Sequence, residues 1–204
     1  TWWSRNWKWF VPTGCLTLIL LFCLFIGLIF TVVMGSIKSS DAYKQAVARA
    51  QQHIAEQLAK NPALAKVARH VRMVPVPEGL RIDLVDDADY SMFALGTTAL
   101  DSRASDLIGM IAGTIAGTPN TIMIRGHTDS VPYGDPRAMN NWMLSSGRAE
   151  STRRRLALGG IPESRFERIE GVADREPIVV NDPGDPRNRR VAITLLYRKG
   201  AFGQ

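Results

Sequence analysis

Twenty consecutive residues, Cys15 to Met34, carry no charged side chain, and all 19 acidic residues of the 204-residue chain lie beyond them. An uncharged apolar run of that length matches the hydrocarbon thickness of a bilayer. It predicts a transmembrane helix over residues 11–36 and removes the chain from the class of freely soluble proteins. Trp2, Trp3, Trp7 and Trp9, with Arg5 and Lys8, form a collar before it. Amphipathic rings favour the headgroup level, so the collar reads as an interfacial belt on a retained anchor rather than a cleaved signal peptide. No Asp, Glu, Lys, Arg or His occurs between Phe10 and Ile37, whereas ion paths through membranes are marked by such groups. Basic residues flank the run on both sides (Arg5 and Lys8, then Lys38, Lys44 and Arg49), so charge alone leaves its orientation open.

Arg5 and Lys8 leave 23 of the 25 basic residues against 19 acidic ones in the remainder. That excess is too mild, and too interleaved, for a nucleic-acid footprint. Both cysteines, Cys15 and Cys23, sit in the apolar run, so the remainder has no disulfide and no cysteine metal site. His53, His70 and His127 are scattered and build no metal site by themselves. The expectation is no cofactor and no metal.

Residues 37–75 read as a helical connector. Ser39, Ser40 and Asp41 are N-cap types, and Tyr43, Val47, Ala50, Ile54 and Leu58 recur at helical spacing. A stripe that narrow fits self-association or docking on a partner, and equally a solvated spacer. Asn61-Pro62 interrupts it and Pro75-x-Pro77 closes the connector. As a helix the connector would reach roughly 60 Å.

From Leu80 the pattern becomes mixed α and β. Leu80, Ile82 and Leu84 alternate as in a strand; Leu107, Ile108, Ile111 and Ile115 share a helical face after Asp101. Ile122, Ile124 and Gly126 suggest a second strand, a helix is expected from about Leu144 to Leu158 before Gly159-Gly160, and strands over Phe166–Val172 and Arg190–Tyr197. The order implies a sheet covered by helices.

Polar motifs stand at the ends of these elements, where a scaffold presents binding residues. They are Gly126-His127-Thr128-Asp129, Asn141-Trp142-Met143-Leu144-Ser145-Ser146-Gly147-Arg148-Ala149, and Asn188-Arg189-Arg190-Val191. Between the first two lies the loop Val131 to Asn140. Ser145, Ser146, His127 and Asp129 supply the residue types of a hydrolase triad, but there is no G-x-S-x-G elbow and no Gly-rich phosphate loop, so no catalytic residue is expected.

In their order and spacing these motifs resemble those of OmpA-like peptidoglycan-binding domains, over roughly Pro77 to Lys199. Within that group, Asn141-Trp142 and Ser130-Val131-Pro132-Tyr133 favour the C-terminal domains of the MotB family of flagellar stator proteins over the Pal lipoproteins. The resemblance implies an α+β fold, a βαβαβ-β sandwich of a mixed sheet covered by helices, preceded by one transmembrane helix. It implies a short cytoplasmic segment (1–10), the span (11–36), the connector (37–75), the binding domain (76–199) and a tail (200–204). It further implies a single-pass inner-membrane protein with a periplasmic domain, a homodimer in the sense of that family, with peptidoglycan and a MotA-type stator subunit as partners. Asp129 and Arg148 are implied to grip the diaminopimelate of the stem peptide, with Asn141 and Thr128 adding hydrogen bonds and Leu144 and Phe93 walling the site. The alternatives read from the residues are an Asp129–Arg148 salt bridge, a capping role for Asn141 and a structural role for His127. Arg189 and Arg190 touch glycan or hold the strand end, and Arg153, Arg154 and Arg155 read as mostly solvated surface.

The family's intramembrane aspartate has no counterpart here, the first acid being Asp41. That sets an anchor apart from two alternatives, an ion-conducting stator subunit and an envelope-integrity protein of the Pal or OmpA type. The first 50 residues, from Trp2 to Pro12 and again over Ser39–Tyr43, resemble small bacterial membrane proteins related to the cytochrome oxidase assembly factor Coa1, implying membrane placement only.

Overall fold

The computed structural model describes residues 21, 22, 24–27, 29, 41, 44–132 and 139–197, with residues 63–65 described by backbone alone. The chain divides into two compact units, Thr1–Ala42 and Tyr43–Gln204. In the first, the described residues are helical and Leu21, Phe22, Leu24 and Phe25 are exposed. Among the described residues no helix is long and apolar enough to cross a membrane. The expected span, the aromatic collar, the Coa1-like segment and the tail lie wholly or mostly outside the described residues.

The second unit begins with helix α1 (residues 44–60) and continues through α2 (Pro62–Ala68), β1 (Val71–Val76), β2 (Gly79–Val85), α3 (Ser102–Ile115), β3 (Ile122–His127), α4 (Asn141–Leu158), β4 (Phe166–Gly171) and β5 (Arg190–Leu196). The five strands form one sheet in the order β1-β2-β5-β3-β4, with β3 and β4 parallel and the other neighbours antiparallel. This is the mixed α+β architecture expected. The strand Val71–Val76 lies in a stretch read as connector. Its Pro75 hid it, and an edge strand tolerates that proline because its outer side needs no ladder hydrogen bond.

The register divides the sheet into two chemically different faces. Leu80, Leu195 and Ile122 stand in one cross-strand row, and Ile82, Ile193 and Ile124 in the next. These buried side chains join Leu107, Ile108, Ile111 and Ile115 of α3 in the main apolar cluster. The opposite face carries the rows Arg81–Thr194–Met123, Asp83–Ala192–Arg125 and Val85–Arg190–His127.

Val47, Ala50, Ile54 and Leu58 of α1 belong to that same cluster, Ile54 being fully buried. The stripe thus covers its own domain's core. Neither self-association nor solvated spacing describes these four residues, because the sequence periodicity shows that a face is apolar but not what covers it. Arg165, in a 3-10 turn before β4, is buried and donates to the carbonyls of Ile115 and Asn120, at 2.8 and 2.7 Å. It also donates to the carbonyl of Ala116, the C-cap of α3, at 3.2 Å, and so supplies a donor to a helix-end carbonyl.

Candidate functional site

Three loops meet at the end of the sheet where β3 runs out and α4 begins. Gly126 lets α4 approach, since a Cβ there would lie 2.0 Å from the Ser145 carbonyl oxygen. Beyond it the chain leaves β3 through His127, Thr128 and Asp129. Asn140 caps α4, its side chain accepting from the Met143 amide at 3.0 Å. The capping role weighed for Asn141 therefore falls to its neighbour. Asn141 is the first helical residue, and its Nδ2 donates to the Asp129 carbonyl at 3.2 Å. Asn141, Leu144 and Arg148 follow at helical steps of three and four and line one cleft of about 530 Å³ with Phe93, Thr128 and Asp129. All six residues named from the sequence thus line a single cavity.

Asp129 is nearly buried, and its Oδ2 accepts from Arg189 Nη1 at 2.8 Å. Its Oδ1 accepts from the Val131 amide at 3.3 Å. Arg189 also donates through Nε to Asp86 at 3.2 Å. Burial works against the charge on Arg189, yet its hydrogen bonds to Asp129 and Asp86 leave its pKa above the ordinary value. Asp86 is itself buried and accepts from the Met92 amide and the Ser91 hydroxyl, both at 2.8 Å. Arg189 is thus the salt-bridge partner the structure shows for Asp129. Arg148, 4% exposed, donates through Nε to the Thr97 carbonyl at 3.2 Å and lies 5.0 Å from the centre of the Phe93 ring. The buried Thr128 hydroxyl has no hydrogen-bond partner among the described residues.

Each residue of Asn188-Arg189-Arg190-Val191 has a separate task. Asn188 is buried; its Oδ1 accepts from the Ile178 and Val179 amides at 2.9 and 2.8 Å, and its Nδ2 donates to the Asp182 and Pro183 carbonyls. It folds the loop that brings Gly184, Pro186 and Arg189 to the cleft. Arg190 turns to the opposite face of the sheet and Val191 into the core. His127 is 2% exposed, and burial, then the charges of Arg190, Arg125 and Arg81, lower its pKa to about 3. It lines a separate cavity of about 100 Å³ on the opposite face, not the cleft.

Asp86, Ser91 and Leu95 were not singled out from the sequence. The pair Asp86-Asp87 directly after an apolar strand was the one signal, and acids at strand ends are commonplace.

The cleft beyond the end of β3 thus gathers the Asp129 carboxylate and, from the third turn of α4, the Arg148 guanidinium. The profile of the OmpA family matches residues 92–190. Motility protein B of Escherichia coli K12 is 33% identical over 140 residues, which are 68% of this chain and 46% of that protein. A protein of the same strain described as a truncated flagellar export/assembly protein, LafU, is 32% identical over 146 residues, 69% of each chain. Among solved structures, the cell wall anchor of the type VI secretion system (T6SS) from Pseudomonas aeruginosa aligns with a TM-score of 0.59 at 25% identity, covering 72% of this chain and 96% of that one. The chain belongs to the OmpA family, and its domain resembles the C-terminal domain of MotB. It spans about half the length of Motility protein B.

Proposed function

We propose that the chain is a non-enzymatic anchor between the inner membrane and the cell wall, of the MotB type. Its domain would stand in the periplasm and hold peptidoglycan through the diaminopimelate of the stem peptide. The observation that carries this reading is the convergence of Asp129, Arg148, Asn141, Thr128, Leu144 and Phe93 on one cleft. The free end of diaminopimelate carries an ammonium and a carboxylate. Asp129 suits the first, and the planar fork of Arg148 suits the second. The unpartnered Thr128 hydroxyl offers a neutral hydrogen bond. Likeness to a cell wall anchor and to Motility protein B supports the same reading. In this role the chain works as a homodimer beside a MotA-type stator subunit. A carboxylate for ion transfer is missing from residues 11–36, which favours anchoring over conduction by this chain.

The test is co-sedimentation of the full chain, in detergent, with purified peptidoglycan sacculi. Wild type is expected in the pellet. Asp129→Ala and Arg148→Ala each remove a charge-assisted contact, so affinity should fall about 10- to 100-fold. Arg148→Lys keeps the charge without the fork and should recover only part of it. Unchanged binding by folded Asp129→Ala would sink the assignment.

A further inference from the structure

The cleft is larger than its polar grip requires. A volume of about 530 Å³ lies in the range that holds a drug-sized molecule rather than one amino-acid head group. Part of its lining is apolar and solvent-facing. Leu95 is 86% exposed, and Val131, from the loop after β3, is half exposed beside the same cleft. A lone exposed leucine needs no explanation. Leu95 is different, because the backbone fixes it at the tip of a tight turn.

That turn runs from Ala94 to Thr97 and is closed by the Thr97 amide donating to the Ala94 carbonyl at 3.0 Å. Gly96, in its third position, has φ +66°, the conformation a type II turn demands there. The Ala94 amide donates to the Ala99 carbonyl at 3.0 Å, and the Phe93–Leu100 bridge holds the base. The turn is also tied to α4. Its Thr97 carbonyl accepts from Arg148 Nε. Gly147 makes room for Thr98, whose Cγ2 would lie 2.5 Å from a Cβ at that position. An apolar side chain is therefore held in water at a fixed distance from the guanidinium that the proposed function assigns to the ligand's carboxylate.

Resting on that function, we propose that Leu95 is a specificity residue, burying the methyl group of the alanyl residue joined to diaminopimelate in the stem peptide. The head group occupies Asp129 and Arg148, the peptide leaves along the turn, and the first apolar group it offers is that methyl. Leu95 and Val131 bury it and lose exposed apolar surface in doing so. The site thus reads a short peptide, with diaminopimelate as its charged end.

The experiment compares two synthetic stem peptides, each ending in diaminopimelate followed by one residue, alanine in one and glycine in the other. Their charges are the same and a single methyl separates them. Calorimetric titration of the full chain should give about fourfold tighter binding of the alanine peptide. In Leu95→Ser the ratio should fall to about one, and Leu95→Met should keep it. Equal binding of both peptides by the wild type, or an undiminished ratio in Leu95→Ser, overturns the proposal. Binding of neither peptide by the wild type refutes the diaminopimelate reading itself, and this inference with it.

Discussion

Arg189 and Arg190 are neighbours in the chain and opposites in the fold. At the entry to β5 the pleat sends one to the cleft and the other to the far face of the sheet. Arg189 bridges two carboxylates, Asp129 and Asp86, and burial does not prevent its pKa from rising. Arg190 donates to two backbone carbonyls, of Glu176 and Asn188, at 2.8 and 3.3 Å. No carboxylate among the described residues lies within salt-bridge distance of it, and burial lowers its pKa to about 10. One side chain holds charge beside the larger cleft; the other is buried at the edge of a smaller polar cavity on the opposite face. Identical residues one position apart thus face two chemically different ends of the domain, the cleft and the polar back of the sheet.

Removing each arginine tests that division most severely. Arg189→Met leaves Asp86 and Asp129 without their shared cation. Breaking a buried pair from one side typically costs 3–5 kcal/mol; Arg189 is partly exposed, so about 2–3 kcal/mol of stability is expected. Sacculus binding should fall at least about tenfold as Asp129 loses its orientation. Arg190→Met exchanges a buried charge for an apolar chain of similar length, so the lost hydrogen bonds are offset by relief from desolvation. Its stability should change by less than about 1.5 kcal/mol and its binding by less than about twofold. Denaturant titration and sedimentation read the two quantities separately. Equal loss of binding in both variants would collapse the distinction.

Acid should act on the back before the cleft. His127 has a pKa of about 3 in the fold against an ordinary 6.5, so the unfolded chain takes up the proton first as pH falls. Stability is therefore lost progressively from about pH 6.5 downward until the folded-state value is reached, at about 1.4 kcal/mol per pH unit. Between pH 6.5 and 5 the loss is about 2 kcal/mol, before most carboxylates titrate. His127→Gln should remove most of this slope. His70, whose pKa is lowered first by burial, keeps a remainder. Urea midpoints at the two pH values measure it, and an unchanged slope in His127→Gln would place the acid sensitivity elsewhere.

What the sequence disclosed follows the same division. Apolar alternation located β2, β3 and β5, because a helix-covered face demands it, and α3 showed its buried face for the same reason. Five of the six cleft residues were legible because they sit in the motifs at element ends, whereas Phe93 lies in none of them and was implied by the family resemblance alone. β1 was hidden by Pro75, since an interior strand excludes proline and only tertiary placement shows that β1 lies at an edge. The stripe on α1 was visible but its covering was not. That Arg189 is the partner of Asp129 was not legible for a similar reason: the two are 60 positions apart, and the Asp86 that Arg189 also bonds is 103 positions from it, brought near by the pairing of β2 with β5.

Arg153, Arg154 and Arg155 on α4 repeat the comparison on a smaller scale and give the weakest effect. The triplet reads from the sequence as solvated surface, and only its middle member matches. Arg153 bonds Glu150 and Glu163 and lies 5.6 Å from the Phe166 ring centre. Arg155 donates to the Ser105 hydroxyl at 2.8 Å, joining α4 to α3, and Gly109 leaves the space its guanidinium fills. Arg154, with 72% of its side chain exposed, shares Glu150 with Arg153 at 2.8 Å. An exposed pair one helical turn apart contributes about 0.3–0.5 kcal/mol, and Glu150 retains Arg153 when Arg154 is removed. Arg154→Ala should therefore shift stability by less than about 0.5 kcal/mol, while Arg155→Ala, which unties two helices, should cost about 1 kcal/mol. Parallel urea titrations rank the two, and a larger loss in Arg154→Ala would show that exposure is a poor guide to which arginine of a run carries the packing.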